Sequence, residues 1–450
     1  MRGVSVKEAA KICSGELFGD PSAYDSEILS VFIDSRKAAP GAMFAALKGE
    51  RVDGHDYICK AFELGAACCL AQRVPDGAEG CVIVVDDVAA ALKTLAEAYR
   101  QRFDIPVIGI AGSVGKTTAK EMTAAVLSKR CNVLKTEKNL NNELGVPLTI
   151  FRLEPEHEAA VIEMGISDFG EMRRLAKMVR PTMAIYTLIG HAHLERLINR
   201  EGVLKAKTEM LEYMPDDGVL ILNGDDDLLR ELRPRQKKLL FGLHGNSDVR
   251  AENISSGALT HTDCDIVAGG RRIHVSIPAY GEHMVYAALE GAAAGMALGL
   301  SDEEIASGIA GFEVVGRRAN VCDTGFITLI DDCYNANPDS VKCGIDSLTG
   351  SAARKVCILG DMLEMGADCE KLHAQIGEYA RSKGIDLLLT SGELSENTCA
   401  AAGDIGRHFS SNAELISALP QLIKRGDTVL VKASHSMKFD EISEALKLLK

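Results

Sequence analysis

The 450-residue chain has no tryptophan, and no Cys-x-x-Cys pair occurs among its 13 cysteines. The cysteine total is odd and Cys68 and Cys69 are adjacent, so neither a disulfide nor a zinc framework is expected. Reduced, mostly buried thiols point to a cytoplasmic protein. No apolar run approaches the roughly 18 residues needed to cross a bilayer. The opening MRGVSVKEAAKIC has no apolar signal-peptide core, so neither secretion nor stable membrane insertion is expected. Excess positive charge is also missing. Lys and Arg number 50 against 64 Asp and Glu, a net charge of −14. Such a chain is a poor general binder of nucleic acid or anionic membranes. An anionic small molecule remains open, because backbone amides, a lysine or a metal can reverse the field locally. Internal repeats and low-complexity segments are absent as well.

What is present is an ordinary globular composition, 46% hydrophobic and 25% charged. The length suits about three domains. Short apolar runs alternate with helical patterns, which predicts an α/β fold. Residues 1–98 read as a small α/β domain. Its first strand stops at Asp34-Ser35-Arg36, Pro40-Gly41 marks a turn, a second strand covers 44–47, and a helix covers 89–99. Residues 99–315 read as a central parallel-sheet domain, with strands at 106–111, 159–164, 182–189 and 218–222. An Ala-rich helix at 282–298 closes it, and its small residues imply close packing. Residues 316–450 read as a Rossmann-like domain with strands at 326–330, 355–359, 387–390 and 428–431.

One motif points to a nucleotide. Gly109-Ile-Ala-Gly112-Ser113-Val114-Gly115-Lys116-Thr117-Thr118 follows an apolar strand and opens a helix, the context a P-loop requires. Glycines let the backbone wrap a phosphate, and successive N–H groups form an anion nest at the positive end of the helix. Lys116 is placed to reach the β- and γ-phosphates, and the Thr117 hydroxyl to ligate Mg²⁺. The spacing is irregular, since Gly109 lies one residue earlier than the usual consensus places its first glycine. Glu163 ends the next apolar run and reads either as a carboxylate for the metal or as a solvated strand-end acid. His191 and His193 follow another strand. A zinc site is their alternative reading, although no Cys or third His lies nearby in sequence.

Together these residues resemble the Mur ligase family, ATP-dependent amide-bond ligases of peptidoglycan precursor synthesis. The resemblance spans the chain. It rests on the wide glycine spacing, Asn139-Leu-Asn141-Asn142-Glu143, Glu163-Met164-Gly165, His191-Ala-His193-Leu194-Glu195 and Lys205-Ala-Lys207. Later matches are Gly316-Arg317, Asp331-Asp332-Cys-Tyr334-Asn335-Ala-Asn337-Pro338, Gly360-Asp361-Met362 and Lys432-Ala-Ser434. Asp34-Ser35-Arg36 and Asp53-Gly54-His55 fit as well.

The resemblance implies a UDP-sugar domain, a P-loop ATPase domain, and a third domain that closes over ATP and brings the amino component. It implies small-molecule substrates: a UDP-MurNAc-tripeptide, whose UDP end falls to Ser35 and Arg36, and D-alanyl-D-alanine. ATP falls to residues 112–118, with Asn142 at adenine, Arg317 at phosphate and Asp332 at ribose. Two Mg²⁺ ions are implied, held by Thr117, Glu163, His193 and a carbamylated Lys207. Lys116, Lys207 and His193 form the implied catalytic set. Lys205 competes with Lys207 if the alignment slips, and a helix-surface lysine is the plain reading of either. A monomer is expected, with no nucleic-acid partner.

The chain also departs from the family. Met284 and Ala287 stand where Asn is usual, and His435 where Arg is common. Two rival functions stay open: a related ligase adding a single amino acid, and a P-loop ATPase that switches a macromolecular partner. The first typically carries Asp-Asn-Pro-Arg, whereas this chain reads Asn337-Pro338-Asp339.

Overall fold

A computed structural model describes residues 1–450 apart from Ala38, Glu50 and Ala258. The fold is α/β and contains three sheets, one for each expected unit. The first orders Glu16–Phe18, Cys81–Val84, Cys68–Ala71, Ala42–Ala45 and Ser30–Phe32. Its strands are parallel except for Glu16–Phe18, which runs antiparallel to Cys81–Val84.

The central sheet has nine strands. From Val133–Lys135 it runs through Ala159–Glu163, Val107–Ala111, Met183–Tyr186, Val219–Asn223 and Lys237–Gly242, all parallel. It continues through Val249–Gly257, His261–Ala268 and Arg271–Ile277, and these three pair antiparallel with one another. The expected all-parallel sheet is therefore mixed. Strand His261–Ala268 alternates between buried and half-buried positions, as a strand covered on one face does. Val107–Ala111 and Ala159–Glu163 are buried on both faces, which explains their unbroken apolar sequence.

The third sheet orders Asn320–Asp323, Thr328–Asp331, Thr428–Lys432, Lys355–Gly360, Leu387–Ser391 and Gly406–Phe409. It is parallel beyond its first strand.

Helices cover these sheets. Helix Val88–Arg100 straddles the expected boundary at residue 98. Its buried Leu92, Leu95 and Tyr99 belong to one apolar core that includes Met43 and Leu70 of the first sheet and Val107 and Ala184 of the central one. The opposite face of the central sheet is covered by helices Lys116–Leu127, Glu282–Ala297 and Asp302–Ala310. Small residues bring these helices together. A Cβ on Gly308 would lie 2.5 Å from the Val126 Cα, so backbone meets backbone there. The third sheet has separate cores on its two faces.

Candidate active site

Val107–Ala111 lies between Ala159–Glu163 and Met183–Tyr186 in the central sheet. The chain fills one side first, with Val133–Lys135 and Ala159–Glu163, and then crosses to the other with Met183–Tyr186 and the strands that follow. This is a topological switch point, where ligands bind beyond the carboxyl ends of strands. The glycine-rich turn leaves the sheet at this point. Gly115 takes φ +85°, a left-handed conformation that glycine adopts without strain, and caps the helix that begins at Lys116. A Cβ on Gly112 would come within 1.9 Å of the Thr187 hydroxyl. That hydroxyl donates to the Val114 carbonyl, and the Ser113 N–H donates to the Leu188 carbonyl at 2.8 Å. The loop is thus held from behind by the residues that leave strand Met183–Tyr186.

A cavity of about 1180 Å³ opens over the turn. One wall carries residues 113–118, Asn142, Glu163 and His193. The other belongs to the third unit and carries Arg318, Asp332, Tyr334 and Lys432. Lys116 donates to the Gly112 carbonyl at 2.8 Å. Burial lowers its pKa, Glu163 opposes that shift, and Arg318 adds to it. The Thr117 hydroxyl donates to Glu163 Oε2 at 3.0 Å. The Asn141 amide donates to Glu163 Oε1 at 2.7 Å, and Lys120, 1% exposed, lies 3.9 Å from Oε2. Hard oxygens from a hydroxyl and a carboxylate beside a phosphate loop suit Mg²⁺. Among the described residues no group of three or more His, Cys, Asp or Glu side chains gathers at metal-binding spacing. The Mg²⁺ reading therefore needs phosphate oxygens to complete its ligands.

Lys207 is 1% exposed and lies in helix Arg200–Thr208. Its amine has no hydrogen-bond or ion-pair partner among the described residues. Burial holds its pKa well below the lysine range, and the nearby Lys116 charge pushes the same way. Lys205 instead lies 6.0 Å from the Phe169 ring, on the opposite side of the choice that the sequence left open. His193 takes φ +54°. Burial lowers its pKa, Glu364 of the third unit counters this, and Lys207 and Lys116 lower it further.

The structure gathers most of the residues singled out in the sequence, with exceptions. Arg317 does not line the cavity. It pairs with Glu444 at 2.9 Å and lies 3.6 Å from Asp331. Its neighbour Arg318 lines the cavity, its guanidinium 3.9 Å from the centre of the Tyr334 ring. Asn142 borders the cavity, and its side-chain oxygen caps the following helix by accepting from Gly145 N–H at 2.9 Å. Asp332 accepts from Lys432 at 2.6 Å and from Ala319 N–H at 3.1 Å. Ser35 and Arg36 lie in a short turn of the first unit, away from the cavity. There Arg36 forms a two-point pair with Asp34, at 2.9 and 2.8 Å, which holds the Asp34 carboxyl down at about 2.

Met284 and Ala287 give the cavity an apolar strip. His435 packs against Tyr334, ring centres 5.6 Å apart. Sequence reasoning missed Asn141, Lys120, Arg318 and Glu364. Arg318 was signalled only by adjacency to Arg317, and Glu364 by nothing local.

The chain is similar to known proteins along its whole length. Residues 27–100 match the Mur ligase family catalytic domain, residues 110–295 the Mur ligase middle domain, and residues 312–435 the Mur ligase glutamate ligase domain. A UDP-N-acetylmuramoyl-tripeptide–D-alanyl-D-alanine ligase of Bacillus subtilis (strain 168) is 37% identical, over 98% of both chains. A crystal structure of MurF from Acinetobacter baumannii superposes with a TM-score of 0.91 at 30% identity, covering 99% of this chain and 98% of that one. MurF ligase from Thermotoga maritima, solved in complex with ADP, gives 0.83 at 26% identity over 93% and 98%.

Proposed function

The chain belongs to the Mur ligase family, and from that premise we propose how its cavity performs the family's chemistry. The reaction is ATP-dependent ligation of D-alanyl-D-alanine to UDP-N-acetylmuramoyl-tripeptide in peptidoglycan precursor synthesis. A carboxylate is a poor electrophile, so it must first be activated. The tripeptide's terminal carboxylate attacks the γ-phosphorus of ATP, and the bond to the β–γ bridging oxygen breaks, giving an acyl phosphate and ADP. The dipeptide amine then adds to the acyl carbon, the tetrahedral adduct expels inorganic phosphate, and the amine proton is lost.

Two anions must meet in the first step, so the task is electrostatic positioning. Lys116 and the turn's N–H groups face the transferring phosphoryl group. Mg²⁺, when bound, spreads the triphosphate charge, and Thr117 and Glu163 hold it, with His193 and a carbamylated Lys207 at a second ion. A neutral, unpartnered lysine is the form that adds carbon dioxide, and the resulting carbamate is an anionic oxygen ligand. Arg318, in place of Arg317, takes the phosphate role, and Asp332 the ribose. Asn142 serves adenine, and Ser35 and Arg36 serve the UDP end. Residues 1–98, 99–315 and 316–450 divide the labour as UDP-sugar, ATPase and closing units. The third unit covers the cavity and keeps water from the acyl phosphate. The enzyme works as a cytoplasmic monomer.

The observation that carries this reading is the P-loop facing Arg318, Asp332 and Lys432 across one cavity. Similarity over 98% of both chains to a ligase named for D-alanyl-D-alanine favours the dipeptide over a single amino acid. The test is phosphate release from Mg·ATP, with UDP-MurNAc-tripeptide and D-alanyl-D-alanine supplied singly and together. Release only with both, and a product heavier by the dipeptide, is expected. Release indifferent to both would move the P-loop to the partner-switching ATPase.

A further inference from the structure

The third unit does more than cover the cavity: it grips the segment that carries His193. Asp339 opens helix Pro338–Thr349, and its Oδ2 accepts from the His191 N–H at 2.6 Å and lies 3.3 Å from His191 Nδ1. Four residues past the strand Lys355–Gly360, Glu364 Oε2 lies 2.5 Å from His193 Nδ1. The Glu364 carbonyl also faces the Glu195 N–H, at 3.4 Å. Gly366 approaches so closely that an added Cβ would sit 3.3 Å from the Glu195 nitrogen. Both gripped histidines belong to the central unit and both carboxylates to the third.

We infer that Glu364 is a positioning residue that sets His193 for metal binding when the third unit docks. The inference rests on the proposal that His193 is a ligand of the second ion. An imidazole has two nitrogens, and a carboxylate at one fixes both the tautomer and the ring plane. With Nδ1–H donated to Glu364, the Nε2 lone pair is the one left for the cavity that His193 lines. With the third unit swung away, Nδ1 loses this acceptor and the ring is free to rotate. Docking and ion binding are then thermodynamically linked, each strengthening the other by the same factor.

The test is a double-mutant cycle on the full chain. Mn²⁺ binding is measured by calorimetry or paramagnetic resonance with a non-hydrolysable ATP analogue present. Glu364→Ala is expected to weaken Mn²⁺ binding about tenfold, the low end for loss of a carboxylate behind a metal-bound histidine. Glu364→Gln keeps an acceptor oxygen and restores most of the affinity. In a His193→Ala background, Glu364→Ala has no further effect. Small-angle scattering of the same samples reports docking, and E364A shifts it toward the extended form. Two results overturn the inference: unchanged Mn²⁺ affinity in E364A, or an equal loss with and without His193, which would make Glu364 a mere latch. Unchanged affinity in H193A itself would remove the ligand reading of His193, and this inference with it.

Discussion

A buried amine with no partner is costly, and Lys207 shows where that cost lies. A lysine whose folded pKa is depressed binds fewer protons folded than unfolded. The penalty is complete below the folded value, shrinks as pH rises from there, and vanishes above the ordinary value of 10.5. Lys207→Met should therefore stabilise the unliganded protein at pH 7 by about 0.5–2 kcal/mol while abolishing ligation. Thermal melts across pH check the first effect: the gain narrows as pH rises toward the unfolded lysine value. Carbon-13 bicarbonate labelling of the wild type checks the modification, since a carbamate carbon should be visible by NMR. The two adjacent arginines give a second residue-scale contrast. Arg318→Ala should lower kcat roughly 100-fold, as loss of a charge-stabilising donor does. Arg317→Ala, which loses a pair with Glu444 on the surface, should change kcat little. Steady-state phosphate release separates the two.

At the scale of elements, the strands and helices that build the site were the most legible part of the sequence. The P-loop strand reads as a short apolar run because both its faces are covered, and glycine spacing fixes the turn after it. The Ala-rich helix ends one residue before the expected 298. The antiparallel strands spanning 249–277 were not legible, because an alternating half-exposed pattern with Asp and Ser between apolar residues resembles a surface loop. Arg318 and Glu364 were hidden for another reason. Their roles depend on how the third unit sits against the central one, which no local periodicity encodes. The close helix packing makes its own prediction. Gly308→Val inserts bulk where backbones touch and should cost about 1–3 kcal/mol by denaturant titration. Gly112→Ala should cost about 1–3 kcal/mol and destroy nucleotide binding, since its Cβ would collide with the hydroxyl that braces the loop.

Across the whole molecule, the first and central units share one continuous apolar core through helix Val88–Arg100, whereas the third has cores of its own. Calorimetry should accordingly resolve two transitions, one for the joined units and one for the third. On the proposed reading ADP would touch both cavity walls, so it should raise both transitions and bring them together, by mass action on the folded states. A single transition unaffected by ADP would refute this division. The order of the chain adds one more consequence. The helices that cover the far face of the central sheet include residues 282–310, long after its first strand at 107–111. During synthesis, at about 5–20 residues per second, that apolar face waits at the ribosome for roughly ten seconds or more with only helix Lys116–Leu127 to cover it. The last stretch of the chain then folds on its own cores. The ribosome-bound intermediate, more than the finished enzyme, is where a chaperone would find its grip.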